Sequence, residues 1–256
     1  MIRAIGRWVL ELLRLGGAIA LVFARTVLHL PKLQGRELGR SLVLFGYRSL
    51  PLAVGTGALI GATVVLQAGV YATKFGVRQY TGWAAGYALI WEFGPLLLGL
   101  MLAARIGARN AAELALLSVN GQIEGLRGIS LDAFRILVVP RVLASALSVM
   151  ALSTLTFLVA ILWECMSAYL TLRLPVRVFF GSFSELLGVG DLAGGILKSL
   201  VFGTAIALVS TAVGLRAQGG ARGVGQASAS AVVLSCGSIF ALDFALTPML
   251  MRVLGT

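Results

Sequence analysis

Charge is scarce in this chain. Of its 256 residues 12% are charged, about half the ~25% usual in soluble domains, and 59% are hydrophobic before the 32 glycines are counted. That balance argues against an ordinary cytosolic domain. Two cysteines, Cys165 and Cys236, are too few for a disulfide framework or a Cys-rich metal site, and a single histidine, His29, excludes His-cluster metal chemistry. The glycine-rich stretch 214–225 lacks the Gly-Lys-Ser/Thr ending of a phosphate-binding loop, and no such motif occurs elsewhere. If ATP is used, another polypeptide hydrolyses it. Positive charge is present in excess: 21 Lys and Arg against ten acids give a net +11, which suits nucleic acid or an anionic membrane surface. The apolar excess favours the membrane.

A bilayer core of about 30 Å needs roughly 20 mostly apolar helical residues, so the distance between successive charges locates the spans. Arg48 and Lys74 bracket 25 uncharged residues, and between Arg78 and Arg105 the only charge is Glu92. Arg141 to Glu164 encloses a third run, 192–215 carries only Lys198, and Arg222 to Arg252 encloses only Asp243. These runs predict five spanning helices in an all-α integral membrane protein.

Residues 1–50 differ. Arg3, Arg7, Glu11 and Arg14 recur every three or four positions, while Ile2, Ile5, Val9, Leu12 and Leu13 take the opposite face. The pattern predicts an amphipathic helix lying in the membrane interface, ended or bent at Pro31, with a basic leader on the cytoplasmic side as the plainer alternative. The expected organisation is an interfacial segment 1–50 followed by one transmembrane domain, 51–256. Eight cations fall in 1–50, five between Arg105 and Arg141, and two at Arg216 and Arg222, against five in the intervening loops and at the C-terminus. By the positive-inside rule the N-terminus is expected in the cytoplasm and the C-terminus outside. Trp83, Tyr87, Trp163 and Tyr169 fall near span ends, where amphipathic rings prefer to sit.

Between spans two and three, residues 105–128 are too polar to cross. Arg105, Arg109 and Glu113 lie four apart, so they share one helical face, and Leu114 and Leu117 lie elsewhere. The spacing predicts a short amphipathic helix, broken near Asn120, Gly121 and Gly125, followed by a turn. Two roles remain open for it: a solvated connection, or a docking element that carries force from a cytoplasmic partner into the membrane.

The run Glu92-Phe-Gly-Pro, then Ala104-Arg-Ile-Gly-Ala, Ala112-Glu113-Leu, Gln122-Ile-Glu-Gly-Leu and Val139-Pro-Arg-Val-Leu-Ala144, resembles the permease subunit of MlaE-type lipid ABC transporters. Leu197-Lys-Ser-Leu-Val-Phe-Gly203, Gly220-Ala-Arg-Gly-Val-Gly225 and Leu242-Asp-Phe-Ala-Leu-Thr247 continue the resemblance in the same order, which covers about residues 50 to 250. It implies a homodimeric permease of the bacterial inner membrane that moves phospholipid. It also implies a separate cytoplasmic ABC ATPase, an MCE-domain protein outside the membrane and a STAS-domain protein as partners, with ATP acting only through the partner chain. The docking element, about 105–126, would then be the coupling helix, with Arg105, Arg109, Glu113, Gln122 and Glu124 meeting the ATPase. The chain departs from the family in having Asn120 and Gly121 where a Thr-Glu pair is common, and Trp91 where a basic residue precedes the intramembrane Glu.

Independently of any family, Glu92, Lys198 and Asp243 are the charges that interrupt the predicted spans. Each costs roughly 2.5 to 3.5 kcal/mol near a helix centre, so each should face the bundle interior and have a partner. Lys198 is the cation available to either acid, and Gly94-Pro95 after Glu92 should loosen the helix and free backbone carbonyls. Two readings stay open: one buried salt bridge that fixes packing, or a network lining a lipid cavity that changes partners between states. Gly57 with Gly61, and Gly82 with Gly86, have a spacing that allows close helix approach, either within the chain or at a dimer seam.

Three rivals follow from the same residues. An intramembrane protease would need a base beside its nucleophile, and His29 lies in the interfacial leader. An ion- or proton-coupled secondary transporter using Glu92 and Asp243 is the main alternative, although five spans do not divide into equal inverted repeats. A nucleic-acid role is disfavoured because the basic residues flank spans.

Overall fold

The computed structural model describes residues 2–30, 35–128, 130 and 132–254. Among these there are eleven α-helices and no strand, as an apolar chain in a bilayer must satisfy its backbone within each segment. They are α1 (Ile2–His29), α2 (Gly35–Phe45), α3 (Leu50–Lys74), α4 (Thr81–Ala88), α5 (Gly94–Leu102), α6 (Ala108–Val119), α7 (Gln122–Gly128), α8 (Val139–Leu172), α9 (Val176–Leu186), α10 (Val189–Gly214) and α11 (Gly220–Leu254).

Five continuous helical stretches are long and apolar enough to cross a membrane: Gly35–Lys74, Arg78–Val119, Phe134–Leu172, Val189–Gly214 and Gly220–Leu254. They coincide with the five charge-poor runs. The third extends beyond the predicted run, because α8 continues through Glu164 to Leu172 and the following residues are again uncharged. Trp163 and Tyr169 point outward from that last stretch, and Trp83 is likewise on the outer surface.

α3 and α8 form the most intimate pair. A Cβ on Gly57 would lie 2.8 Å from the carbonyl oxygen of Thr156, and one on Gly61 would collide with the backbone of Ala160. Small residues thus let two backbones touch, the usual source of helix cohesion in lipid. Gly82 and Gly86 face Phe179, Ser182 and Phe183 of α9 in the same way. Both glycine pairs are used inside the chain and not at a dimer seam. The helix α9, lying between spans three and four, was not expected from the charge pattern.

The polar segment after span two differs from its expected form. It is no separate helix: α4, α5 and α6 run as one helix from Thr81 to Val119, interrupted only by wider π turns at Leu89–Phe93 and Ala103–Gly107. The break does fall at Asn120 and Gly121, where Gly121 takes φ 68°, a conformation glycine adopts at no steric cost. Beyond it stands the helix α7 in place of a turn.

A helix does form at the N-terminus, over Ile2–His29. Its Leu15, Ala18, Ile19 and Val22 pack against Val138, Val142, Ala207 and Leu208 at the ends of α8 and α10. His29 reaches Asp132 at 3.1 Å, and the Arg25 guanidinium lies over the Phe134 ring, fastening the end of α1 to the chain before α8. The side chains of Ile2, Arg3, Ile5, Arg7, Val9, Glu11 and Leu12, on which the amphipathic pattern rested, lie outside the described residues, as do Pro31 and Lys32.

Candidate functional site: a buried charge cluster

The site begins with a proline. Pro95 has no N–H to offer the carbonyl of Trp91, one turn earlier, and the local helix widens so that the Gly94 N–H bonds Leu89. The Trp91 carbonyl is thereby left for another donor. Lys198 on α10 supplies it, donating from Nζ at 2.6 Å. Approach of α10 depends on glycine, since a Cβ on Gly195 would sit 2.5 Å from the Ile90 carbonyl oxygen.

Lys198 gathers the other two predicted residues. Its Nζ lies 2.6 Å from Asp243 Oδ1 and 3.4 Å from Glu92 Oε1. Thr247, one turn after Asp243 on α11, accepts from Lys198 at 2.8 Å. The Thr247 hydroxyl has two acceptors for its own proton, Glu92 Oε1 at 3.1 Å and the Asp243 carbonyl at 2.8 Å. The ammonium is 0% exposed, Asp243 14% and Glu92 39%, so the cation is enclosed and Glu92 forms the open side. One enclosed ammonium is thus shared by two carboxylates, the compensation that a buried cation requires.

Three groups of the site escaped sequence reasoning. The Trp91 carbonyl is a backbone atom, and Thr247 carries no charge. Trp91 itself, noted only as a departure from the family, donates its indole N–H to Asp191 at 2.7 Å, and Asp191 accepts the Gly188 N–H at 2.8 Å at the start of α10. The position is therefore tied to α10 by a neutral donor in place of a second cation.

A second polar cluster lies at the far end of the same long helix. Asn110 is buried, donates to Ser210 and Thr211 of α10 at 2.8 and 3.2 Å, and accepts from Arg141 at 3.2 Å. Glu113 is shared between Arg109 at 2.9 Å and Arg141 at 3.0 Å. Ser228 of α11 donates to the Ala108 carbonyl at 3.3 Å. Arg105 donates to the Arg48 carbonyl, while Gln122 and Glu124 are exposed on α7. Of the five residues expected at a partner surface, Arg109 and Glu113 are paired with each other, and Gln122 and Glu124 stand apart from them beyond the break.

Besides Asp191, one further buried charge went unrecognised. Glu164 marked the apparent end of span three, yet it is fully buried inside α8, and neither carboxyl oxygen has a hydrogen-bond partner among the described residues. The uncharged residues that follow it, up to Leu172, were the signal.

Five apolar spans, of which the second, fourth and fifth meet at a buried lysine, define a multi-pass α-helical membrane protein. The chain belongs to the MlaE permease family, whose model, described as Permease MlaE, matches residues 38–249. It is similar to a probable ABC transporter permease protein of Rickettsia typhi, with 31% identity over 84% of this chain and 83% of the relative. The protein TRIGALACTOSYLDIACYLGLYCEROL 1 of the Arabidopsis thaliana chloroplast is 29% identical over 91% of this chain and 67% of its own length. A probable ABC transporter permease protein of Synechocystis is 29% identical over 93% and 92%. Glu92, Lys198, Asp243 and Thr247 all fall within the matched range.

Proposed function

We propose that this permease moves phospholipid, as the transmembrane half-unit of an ABC transporter driven by a separate cytoplasmic ATPase. The observation that carries the reading is the continuity of one helix. Glu92 stands about 20 Å along it from Arg105, where the segment that would meet the ATPase begins, and about 40 Å from the helix end at Val119, at about 1.5 Å per residue. Both ends of that helix are bonded to the same two neighbours. Near Glu92 the bonds reach Lys198 on α10 and Thr247 on α11, and near Asn110 they reach Ser210 on α10 and Ser228 on α11. A push at α6 and α7 would therefore shear the helix against α10 and α11 and shift the Glu92, Lys198 and Asp243 contacts.

An apolar groove of about 490 Å3 between α3 and α5, lined by Leu59, Ile60, Leu97 and Met101, begins within two turns of Glu92 and suits an acyl chain. The relatives' names agree with this: two are probable ABC transporter permeases, and the third carries the name of a glycolipid. Arg105, Arg109, Glu113, Gln122 and Glu124 are assigned to the ATPase-facing end, the exposed Gln122 and Glu124 to the contact itself and Arg105, Arg109 and Glu113 to the helix end that carries it. A second copy of the chain would cover α11, whose apolar window is 17% buried within one chain against 44–56% for the other spans. The reading also takes in an MCE-domain and a STAS-domain partner, the inner membrane, and a cytoplasmic N-terminus with the C-terminus outside. ATP hydrolysis would belong to the partner, and no metal is invoked.

The test is reconstitution of the chain with its ATPase in vesicles carrying labelled phospholipid. ATP-dependent movement of the label is expected. Movement driven by a proton gradient and indifferent to ATP would replace this reading with the secondary transporter.

A further inference from the structure

A separate cavity of about 380 Å3 lies away from the Glu92 cluster, where α2, α6 and the start of α8 meet. Its lining combines charged side chains, Arg40 and Glu37 from α2, Arg109 and Glu113 from α6, and Arg141 from α8, with apolar ones, Leu44, Leu117 and Leu137 among them. From this lining we infer a binding site for the phosphate of an anionic phospholipid headgroup, with an acyl chain running past Leu44 into the bilayer. The site holds a resident lipid of the bilayer and does not depend on whether the protein transports lipid.

Three guanidinium groups face two carboxylates, which leaves one positive charge in excess. Glu113 is already spent, with Oε1 on Arg109 and Oε2 on Arg141. Arg141 also donates to Asn110 through the same Nη1 that meets Glu113, and Arg109 uses only its Nε. Each guanidinium carries five N–H donors in a flat fork, so both retain unused donors beside the cavity they line. Arg40 is exposed and has no ion pair or hydrogen bond among the described residues. A phosphate accepts from several such donors at once, and charge-assisted bonds of this kind are about twice as strong as neutral ones.

Position selects a lipid over a free anion. The cavity lies where spans one, two and three begin or end, so it sits at headgroup depth, next to a reservoir of lipid phosphate at very high local concentration. A soluble anion has no use for Leu44, which lies one helical turn further into span one than Arg40.

Placing a benzophenone side chain at Leu117 in the full-length permease, in vesicles of phosphatidylcholine with added phosphatidylglycerol, tests this directly. At equal mole fractions, cross-linking to phosphatidylglycerol should exceed that to phosphatidylcholine by about tenfold, the ratio that about 1.4 kcal/mol of preference gives. Arg40→Glu, a surface change, should bring the ratio close to one. The same probe at the lipid-facing Leu162 should show no preference. Equal labelling of the two lipids at Leu117, or a preference untouched by Arg40→Glu, would overturn the site. So would abolition of lipid labelling by excess inorganic phosphate, which would make the occupant a free anion.

Discussion

The Lys198 ammonium donates to the Trp91 carbonyl at 2.6 Å, and that carbonyl is available because Pro95 cannot claim it. A backbone oxygen thus joins two carboxylates and a hydroxyl in holding one buried cation, and a proline one turn away is part of the site without touching it. Pro95→Ala would return an N–H that competes for the Trp91 oxygen. The expected outcome is a permease that inserts and assembles normally but transports several-fold more slowly, measured as the initial rate of ATP-dependent lipid transfer. An unchanged rate would show that the freed carbonyl is incidental.

Removing the cation alone confuses stability with function. Lys198→Ala strands Glu92 and Asp243 against each other, and breaking a buried pair costs about 3–5 kcal/mol. Reduced yield is expected from the single variant, while Asp243→Ala, which leaves Lys198 with Glu92, should assemble and transport poorly. The combination Lys198→Met, Glu92→Gln and Asp243→Asn removes all three charges together. It should recover yield and dimerisation in detergent but not transport, and recovery of transport would reduce the cluster to a packing device.

Asn110 fastens the long helix to α10 at the end opposite Lys198. Asn110→Leu leaves Ser210, Thr211 and Arg141 short of a partner, at about 1–3 kcal/mol. In the assembled transporter, ATP hydrolysis should persist while lipid moved per ATP falls. Equal losses of hydrolysis and transport would locate the defect in assembly.

Glu164 is the opposite case: a carboxyl with no bonding partner in an apolar setting formed by residues such as Ala160 and Ala168. Glu164→Met replaces it with an apolar chain of similar length. Thermal unfolding should shift upward, by about 2–4 °C for each kcal/mol of relieved desolvation. A downward shift would mean that Glu164 holds a bond that the fold requires.

The spans were legible because a bilayer penalises charge, so Arg48, Lys74, Arg78 and Arg105 mark ends wherever they fall. The same penalty exposed Glu92, Lys198 and Asp243 as residues in need of partners, and all three meet. Glu164 was missed for a related reason: a charge preceded by an apolar run reads as the end of a span, and only the further uncharged residues to Leu172 show otherwise. The continuity of α5 and α6 was hidden because Arg105 and Arg109 resemble a boundary, whereas Arg105 bonds the Arg48 carbonyl and Arg109 bonds Glu113 while the helix runs on. Contacts made by backbone atoms, such as the Trp91 carbonyl, leave no trace in residue type except through Pro95.

The joint role of the cluster and the long helix is tested by trapping. Cysteines replacing Ser118 and Leu215, which are hydrogen-bonded where the end of α6 meets the end of α10, would lock the helix to its neighbour when oxidised, in a chain with Cys165 and Cys236 replaced by serine. In vesicles containing the ATPase and labelled phospholipid, oxidation should stop ATP-dependent lipid transfer, and reduction should restore it. Undiminished transfer in the fully cross-linked protein would contradict the proposal that movement of α6 against α10 drives the charge cluster.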